Sequence, residues 1–171
     1  MRRPTSRNSK PANDASTLRA STSRTLTIAE VQNFVLKNRV TALVVDDAFI
    51  GRDYHKRLLT NLGVETREVS NGQDAVALCR EGDFFHLILM DMEMPIMNGT
   101  QATRLLREMG CESMIVGVTA HSKEWEVRQF MDAGLDDYLE KPLTFENIFS
   151  VIRDIDDCLS TINLDDDDQN L

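Results

Sequence analysis

Three short stretches set the terms for this chain: VTALVV (40–45), HLILM (86–90) and MIVGV (114–118) are continuous apolar runs rich in β-branched residues. A strand with one wet face alternates apolar and polar residues. A strand with no alternation is covered on both faces, the condition of a parallel sheet clad in helices. The stretches between them have helical spacing. Residues 50–62 bring Ile50, Tyr54, Leu58, Leu59 and Leu62 to one face, 73–81 bring Ala75, Val76 and Cys79, and 100–109 bring Ala102, Leu105 and Leu106. Residues 122–133 predict a further helix, and 145–158 a last one with Ile148, Phe149, Ile152 and Ile155 aligned. VETREV (64–69) alternates as an edge strand, and DYLE (137–140) is a short strand.

This alternation predicts an α/β domain over residues 39–157. Five strand–helix units with short loops suit a flavodoxin-like doubly wound parallel sheet in the order 2-1-3-4-5 with five helices. The 171 residues allow one such domain with tails. Residues 1–38 read as a basic, Ser/Thr-rich, disordered tail, short of apolar surface to offset ordering entropy. It ends in a lead-in helix over 27–38, capped by Thr27 with Glu30 three positions on and with Val31, Phe34 and Val35 on one face. An organelle transit peptide has a similar composition, but the weak amphipathic pattern favours a plain tail. Residues 158–171, ending in DDDDQNL, read as an acidic disordered tail.

Several classes are excluded. The net charge of −9 divides into +5 over residues 1–38, −6 over 156–171 and −8 between them. An acidic body repels a phosphate backbone, and no helix-turn-helix follows the last helix, so direct DNA binding is not expected. No run approaches the roughly 18 apolar residues of a membrane span, and no signal-peptide stretch is present. Cys79, Cys111 and Cys158 lie far apart without a CxxC, which excludes a disulfide scaffold and a Cys-rich zinc site and suits a reducing compartment. A cytoplasmic protein is expected, small enough at 19.4 kDa to reach the nucleus. Oligomeric state has no sequence signature here.

Open parallel sheets carry their chemistry at the carboxyl ends of the strands. Asp46 and Asp47 follow the first strand, Asp91 the third, Thr119 the fourth, and Lys141 with Pro142 the fifth. Singly, each has an ordinary reading as a cap, turn or solvated loop residue. Together they place three carboxylates, a hydroxyl and an amine along one edge. Crowded carboxylates raise one another's pKa unless a cation neutralises them. An oxygen-only donor set selects a hard ion, Mg²⁺ above all. A carboxylate beside such an ion and a lysine can accept a phosphoryl group, because charge developing on its oxygens is neutralised.

VVDDAF, LILMDMEMPIMNG, VGVTAHS and DDYLEKPL, in that order over about residues 39–157, resemble the signatures of the two-component response-regulator receiver domain. SMIVGVT, FMDAGL and LEKPLTFENIF resemble in particular the plant stand-alone class called type C. The resemblance implies Asp91 as phospho-acceptor. Asp47 and Asp91 would be direct Mg²⁺ ligands, Asp46 a ligand through water, and the Glu93 backbone carbonyl the last protein ligand. Thr119 and Lys141 would bind the phosphoryl group, with Tyr138 at the aromatic switch position or, alternatively, simply packed at the sheet edge. The Glu93 and His121 side chains stand where the family tunes the lifetime of the phosphoryl group. The implied partners are a histidine phosphotransfer protein or a hybrid histidine kinase, and the implied role is that of switch or phosphoryl sink.

Two other readings use the same residues. A haloacid-dehalogenase-like phosphatase would use Asp91 as nucleophile, but its DxD motif meets Glu93 here and leaves Asp46 and Asp47 without a task. A pseudo-receiver would fold without phosphotransfer, against the presence of all five site residues. His55 and His86 lack metal-like spacing and read as structural. The methionines Met92, Met94 and Met97 read either as an adaptable rim for a partner helix or as filler, with Met90 in the core. Trp125, the single tryptophan, is expected in the helix after the fourth strand, away from the acid pocket.

Overall fold

The structure, a computed structural model, describes residues 27–120 and 123–168, with side chains through Ile162. The N-terminal stretch 1–26, residues 169–171 and His121 lie outside the described residues. The strands are β1 (Thr41–Val45), β2 (Glu65–Val69), β3 (Leu87–Asp91), β4 (Met114–Thr119) and β5 (Asp137–Glu140). They form one parallel sheet in the order β2-β1-β3-β4-β5. The helices are α1 (Ile28–Gln32), α2 (Phe49–Asn61), α3 (Gly72–Arg80), α4 (Gly99–Glu108), α5 (Glu124–Asp132) and α6 (Phe145–Asp168).

Both faces of the central strands β1, β3 and β4 are dry, as their unbroken apolar runs require. Ala42 and Val44 of β1 point to one face, where Leu59 of α2 and Ile148, Ile152 and Ile155 of α6 cover them. Leu43 and Val45 point to the other, under Ala75 and Val76 of α3, Ala102 and Leu106 of α4, and Phe130 of α5. Each fully buried aliphatic side chain contributes roughly 1.5–3 kcal/mol. The helix starts carry local signals: Asn71 Oδ1 accepts from the Asp74 N–H at 2.9 Å, and Asn98 with Gln101 forms a capping box at α4.

Three sequence readings are corrected. First, α2 is rotated: Ile50 is 83% exposed and Tyr54 is also exposed, while His55 and Leu59 are buried. Its inward row is Gly51–His55–Leu59, because a site carboxylate, not an aliphatic side chain, occupies the space beside Gly51. Second, α1 ends at Gln32, and the following residues bind the body. Phe34 packs edge-on against Phe149, their ring centroids 4.8 Å apart. The buried Asp156 carboxylate accepts from the backbone N–H groups of Lys37 (3.1 Å) and Asn38 (2.9 Å) and from Asn38 Nδ2 (2.9 Å). Third, α6 continues to Asp168 instead of ending at 158. Leu159 packs on the core and Ser160 accepts from Asn38 Nδ2, so the contact with 34–38 carries the helix onward. Of the loop methionines, left open between rim and filler, Met92, Met94 and Met97 pack against the core with Phe130 and Leu106, while Met92 and Met94 also line the open cleft.

Candidate functional site

The carboxyl edge of the sheet gathers the predicted residues. Parallel pairing sets Asp91 level with Val118, one residue before Thr119. The next loop is tied back where the Lys141 N–H donates to the Thr119 carbonyl at 2.7 Å. The Lys141–Pro142 peptide is cis. Carboxylate oxygens of Asp46, Asp47 and Asp91 all lie within 4.8 Å of one another. Asp46, Asp91 and Thr119 are buried and Asp47 is exposed, so the cluster has a closed floor and an open mouth.

Lys141 joins two of the acids. Its Nζ lies 3.1 Å from Asp46 Oδ2 and 3.2 Å from Asp91 Oδ1. Burial pushes the Asp91 carboxyl up to about 6; Lys141 opposes this and Asp46 and Asp47 add to it. Burial by itself would lower the Lys141 ammonium, but Asp91 and Asp46 raise it overall. Asp46 is held on every side. Its Oδ1 accepts from the Ala48 N–H at 2.9 Å, its N–H donates to Val69 O at 3.2 Å, and its carbonyl accepts from Arg52 Nη1 at 2.8 Å.

His55, read from the sequence as structural, stands behind the cluster, a placement the sequence did not show. It is buried in α2 with Nδ1 3.7 Å from Asp46 Oδ2. Burial lowers its pKa against the pull of Asp46, so the ring is neutral near pH 7. A histidine among polar residues gives no periodic signal, and nothing local links it to Asp46. Gly51, one turn earlier, leaves the room Asp46 needs: a Cβ there would stand 2.9 Å from Oδ2. His86 is structural, as expected; Nδ1 lies 3.0 Å from Thr41 Oγ1 at the other end of the sheet.

The open mouth is a cleft of about 510 Å³ lined by Asp47, Met92, Glu93, Asn98, Trp125 and Gln129, among others. Trp125 thus shares a cleft with a cluster acid, contrary to its expected remoteness. Trp125 stands in the first turn of α5, the end of the helix nearest the carboxyl end of β4. Glu93 is exposed at the rim. Tyr138 pairs with Gly117 in the sheet and packs half-buried against the cluster containing Phe130 and Leu135. Among the described residues, no helix is long and apolar enough to cross a membrane.

The donor set fits a hard divalent cation. It is all oxygen, open on one side, and sets three carboxylates against a single ammonium. Comparison with known proteins agrees with this arrangement. Residues 42–153 match the response regulator receiver domain. Two-component response regulator 24 of Arabidopsis thaliana is 48% identical over 126 residues, covering 74% of this chain and 91% of the relative. Among solved structures, the receiver of sensor histidine kinase PA1611 from Pseudomonas aeruginosa holds a magnesium ion in its active-site cleft. It superposes with a TM-score of 0.62 at 26% identity, over 70% of this chain and 98% of that one. The Ssk1 receiver of Saccharomyces cerevisiae, solved with the histidine phosphotransfer protein Ypd1, gives 0.61 at 26% identity, over 67% and 86%. The chain belongs to the response-regulator receiver family of two-component signalling and is similar to its plant stand-alone, type-C members.

Proposed function

We propose that the chain accepts a phosphoryl group on Asp91 from a histidine phosphotransfer protein or hybrid histidine kinase, as switch or sink of a His-to-Asp phosphorelay. The observation that carries this is Asp91 itself: a buried carboxylate 3.2 Å from a lysine ammonium, in an oxygen-only cluster open to a cleft. An Asp91 carboxylate oxygen attacks phosphorus in line. The P–N bond to the donor imidazole breaks, and the imidazole leaves with the bond's electron pair and takes up a proton. Lys141, already in place beside Asp91, and the Thr119 hydroxyl, which moves toward the group, meet the oxygens of the incoming phosphoryl. Asp46, Asp47, Asp91 and the Glu93 carbonyl would hold Mg²⁺, which supplies charge neutralisation for the transferred group. Tyr138 serves as the aromatic that follows Thr119 on phosphorylation, and Glu93 and His121 set how fast water removes the group. That hydrolysis, like the transfer, is promoted by the chain itself.

The Ssk1–Ypd1 complex supports the class of donor. The dehalogenase reading is disfavoured because Glu93 is exposed at the rim while Asp46 sits buried against Lys141.

The test mixes the protein with a histidine phosphotransfer protein carrying labelled phosphate, with Mg²⁺, and compares wild type with Asp91→Asn. Label moves to wild type and not to the variant. Persisting label identifies a switch, and prompt release as free phosphate a sink. Equal labelling of Asp91→Asn overturns the reading.

A further inference from the structure

A second reactive cluster lies at the opposite, amino-terminal edge of the sheet. Cys79, in the last turn of α3, and Cys111, in the loop between α4 and β4, are 32 positions apart in sequence. The fold brings both, half-buried, to the wall of one cavity of about 220 Å³, shared with Asp83, Phe84, Met109 and Ser113. Both side chains also pack against the same core cluster. Cys111 Sγ also lies 3.3 Å from Ser113 Oγ. The loop that carries Cys111 is held in place: Arg107 Nη1 donates to the carbonyls of Cys111 (2.6 Å) and Ser113 (2.8 Å). The same guanidinium is ion-paired with Asp136 at 2.7 Å, so it adds only weakly to the field at the sulfur.

We infer that Cys79 and Cys111 form a thiol site that reacts with small hydroperoxides and closes to a reversible disulfide. The Cys111 thiolate attacks the near oxygen of the O–O bond, giving a sulfenic acid and releasing water or an alcohol. The Cys79 sulfur then attacks the sulfenic sulfur, and the hydroxyl leaves as water with the Cys79 proton. Two thiols are oxidised and one peroxide is reduced. An added dithiol reverses the bond by exchange.

The environment assigns the two roles. A hydrogen bond from Cys79 and contacts with the Ser113 hydroxyl and N–H hold the Cys111 thiol below its ordinary range despite burial, and Arg107 adds to this. The hydrogen bond to Cys111, burial and the nearby Asp83 push Cys79 up. One sulfur is therefore the nucleophile, and the other keeps its proton until it resolves the first. The alternative is two thiols packed as small apolar groups against the core. The site shares no residue with the Asp91 cluster, and its test needs no phosphotransfer.

The experiment treats the reduced full chain with dilute hydrogen peroxide, quenches, and maps thiols by peptide mass spectrometry under non-reducing conditions, with exposed Cys158 as internal reference. The expected product is a Cys79–Cys111 cross-linked peptide within one chain, reversed by dithiothreitol, with Cys158 still free. Cys111 is consumed about tenfold faster than Cys158. In Cys79→Ser a dimedone adduct accumulates on Cys111. Cys111→Ser leaves Cys79 unoxidised. The wild-type map stands whether or not either variant folds. Free Cys79 and Cys111 thiols in folded, peroxide-treated wild type overturn the inference, as does oxidation that begins at Cys158.

Discussion

Lys141 Nζ lies 3.2 Å from Asp91 Oδ1, and the same ammonium reaches Asp46 Oδ2 at 3.1 Å. One positive charge thus serves two buried carboxylates, and the Asp91 carboxyl still stands at about 6. Removing that charge by Lys141→Gln moves Asp91 higher still. In the metal-free wild type the Asp91 carboxyl should titrate near about 6. In Lys141→Gln that titration moves to higher pH, and labelling by a small phosphodonor with Mg²⁺ falls by about 10²-fold, the scale for losing one preorganised charge. Carboxyl titration by NMR in a chelator, with labelling rates of both proteins, checks this; superimposed titrations would refute it.

Asp91→Asn should stabilise the fold in the absence of divalent cations. Asp91 is only 5% exposed, and its folded pKa is raised above its ordinary 3.8. A group so raised contributes stability below the unfolded pKa and loses it as pH rises through the folded value. At pH 7 the variant gains about 1–3 kcal/mol over wild type, and the gain disappears below about pH 4. Urea unfolding in a chelator at the two pH values measures it, and a less stable variant at pH 7 contradicts it.

Gly99→Ala is expected to damage the site from behind. A Cβ at Gly99 would run into the Asp91 carbonyl and stand 2.9 Å from Phe130 Cζ. Neither can retreat: one belongs to a buried strand and the other to the core. The cost is about 1–3 kcal/mol of overpacking, with slower labelling at Asp91 because its backbone must shift. Thermal unfolding and the labelling rate report the two effects separately.

Trp125 should report on the cluster. It lines the same cleft as Asp47 and is the only tryptophan in the chain. Titrating Mg²⁺ into the protein should change its emission, and Asp47→Asn should weaken the midpoint about tenfold or more. A spectrum unmoved by Mg²⁺ would show that the cleft does not sense the ion.

The sheet was legible because burial on both faces leaves its mark in each strand separately. VTALVV, HLILM and MIVGV need no partner to be recognised, and their ends point to Asp46, Asp47, Asp91 and Thr119. What escaped were relations between elements. The inward row of α2 passes through Gly51 and His55 because Asp46 fills the space there, and apolar periodicity instead favoured Ile50. Cys79 and Cys111 carry no spacing motif, since a helix end and a later loop meet only in three dimensions. The end of the last helix reads as the start of a solvated tail until Lys37 and Asn38 are seen against Asp156, Asp157 and Ser160.

The tie between Asn38 and Asp156 lies wholly outside the span 42–153 that matches the receiver family. Cutting the chain back at both ends removes donor and acceptor together but takes Val40 and Ile155 out of the core. Cutting only before β1 strips a buried carboxylate of its donors while the helix that carries it remains. A portable unit of this domain should therefore keep both halves of the clasp.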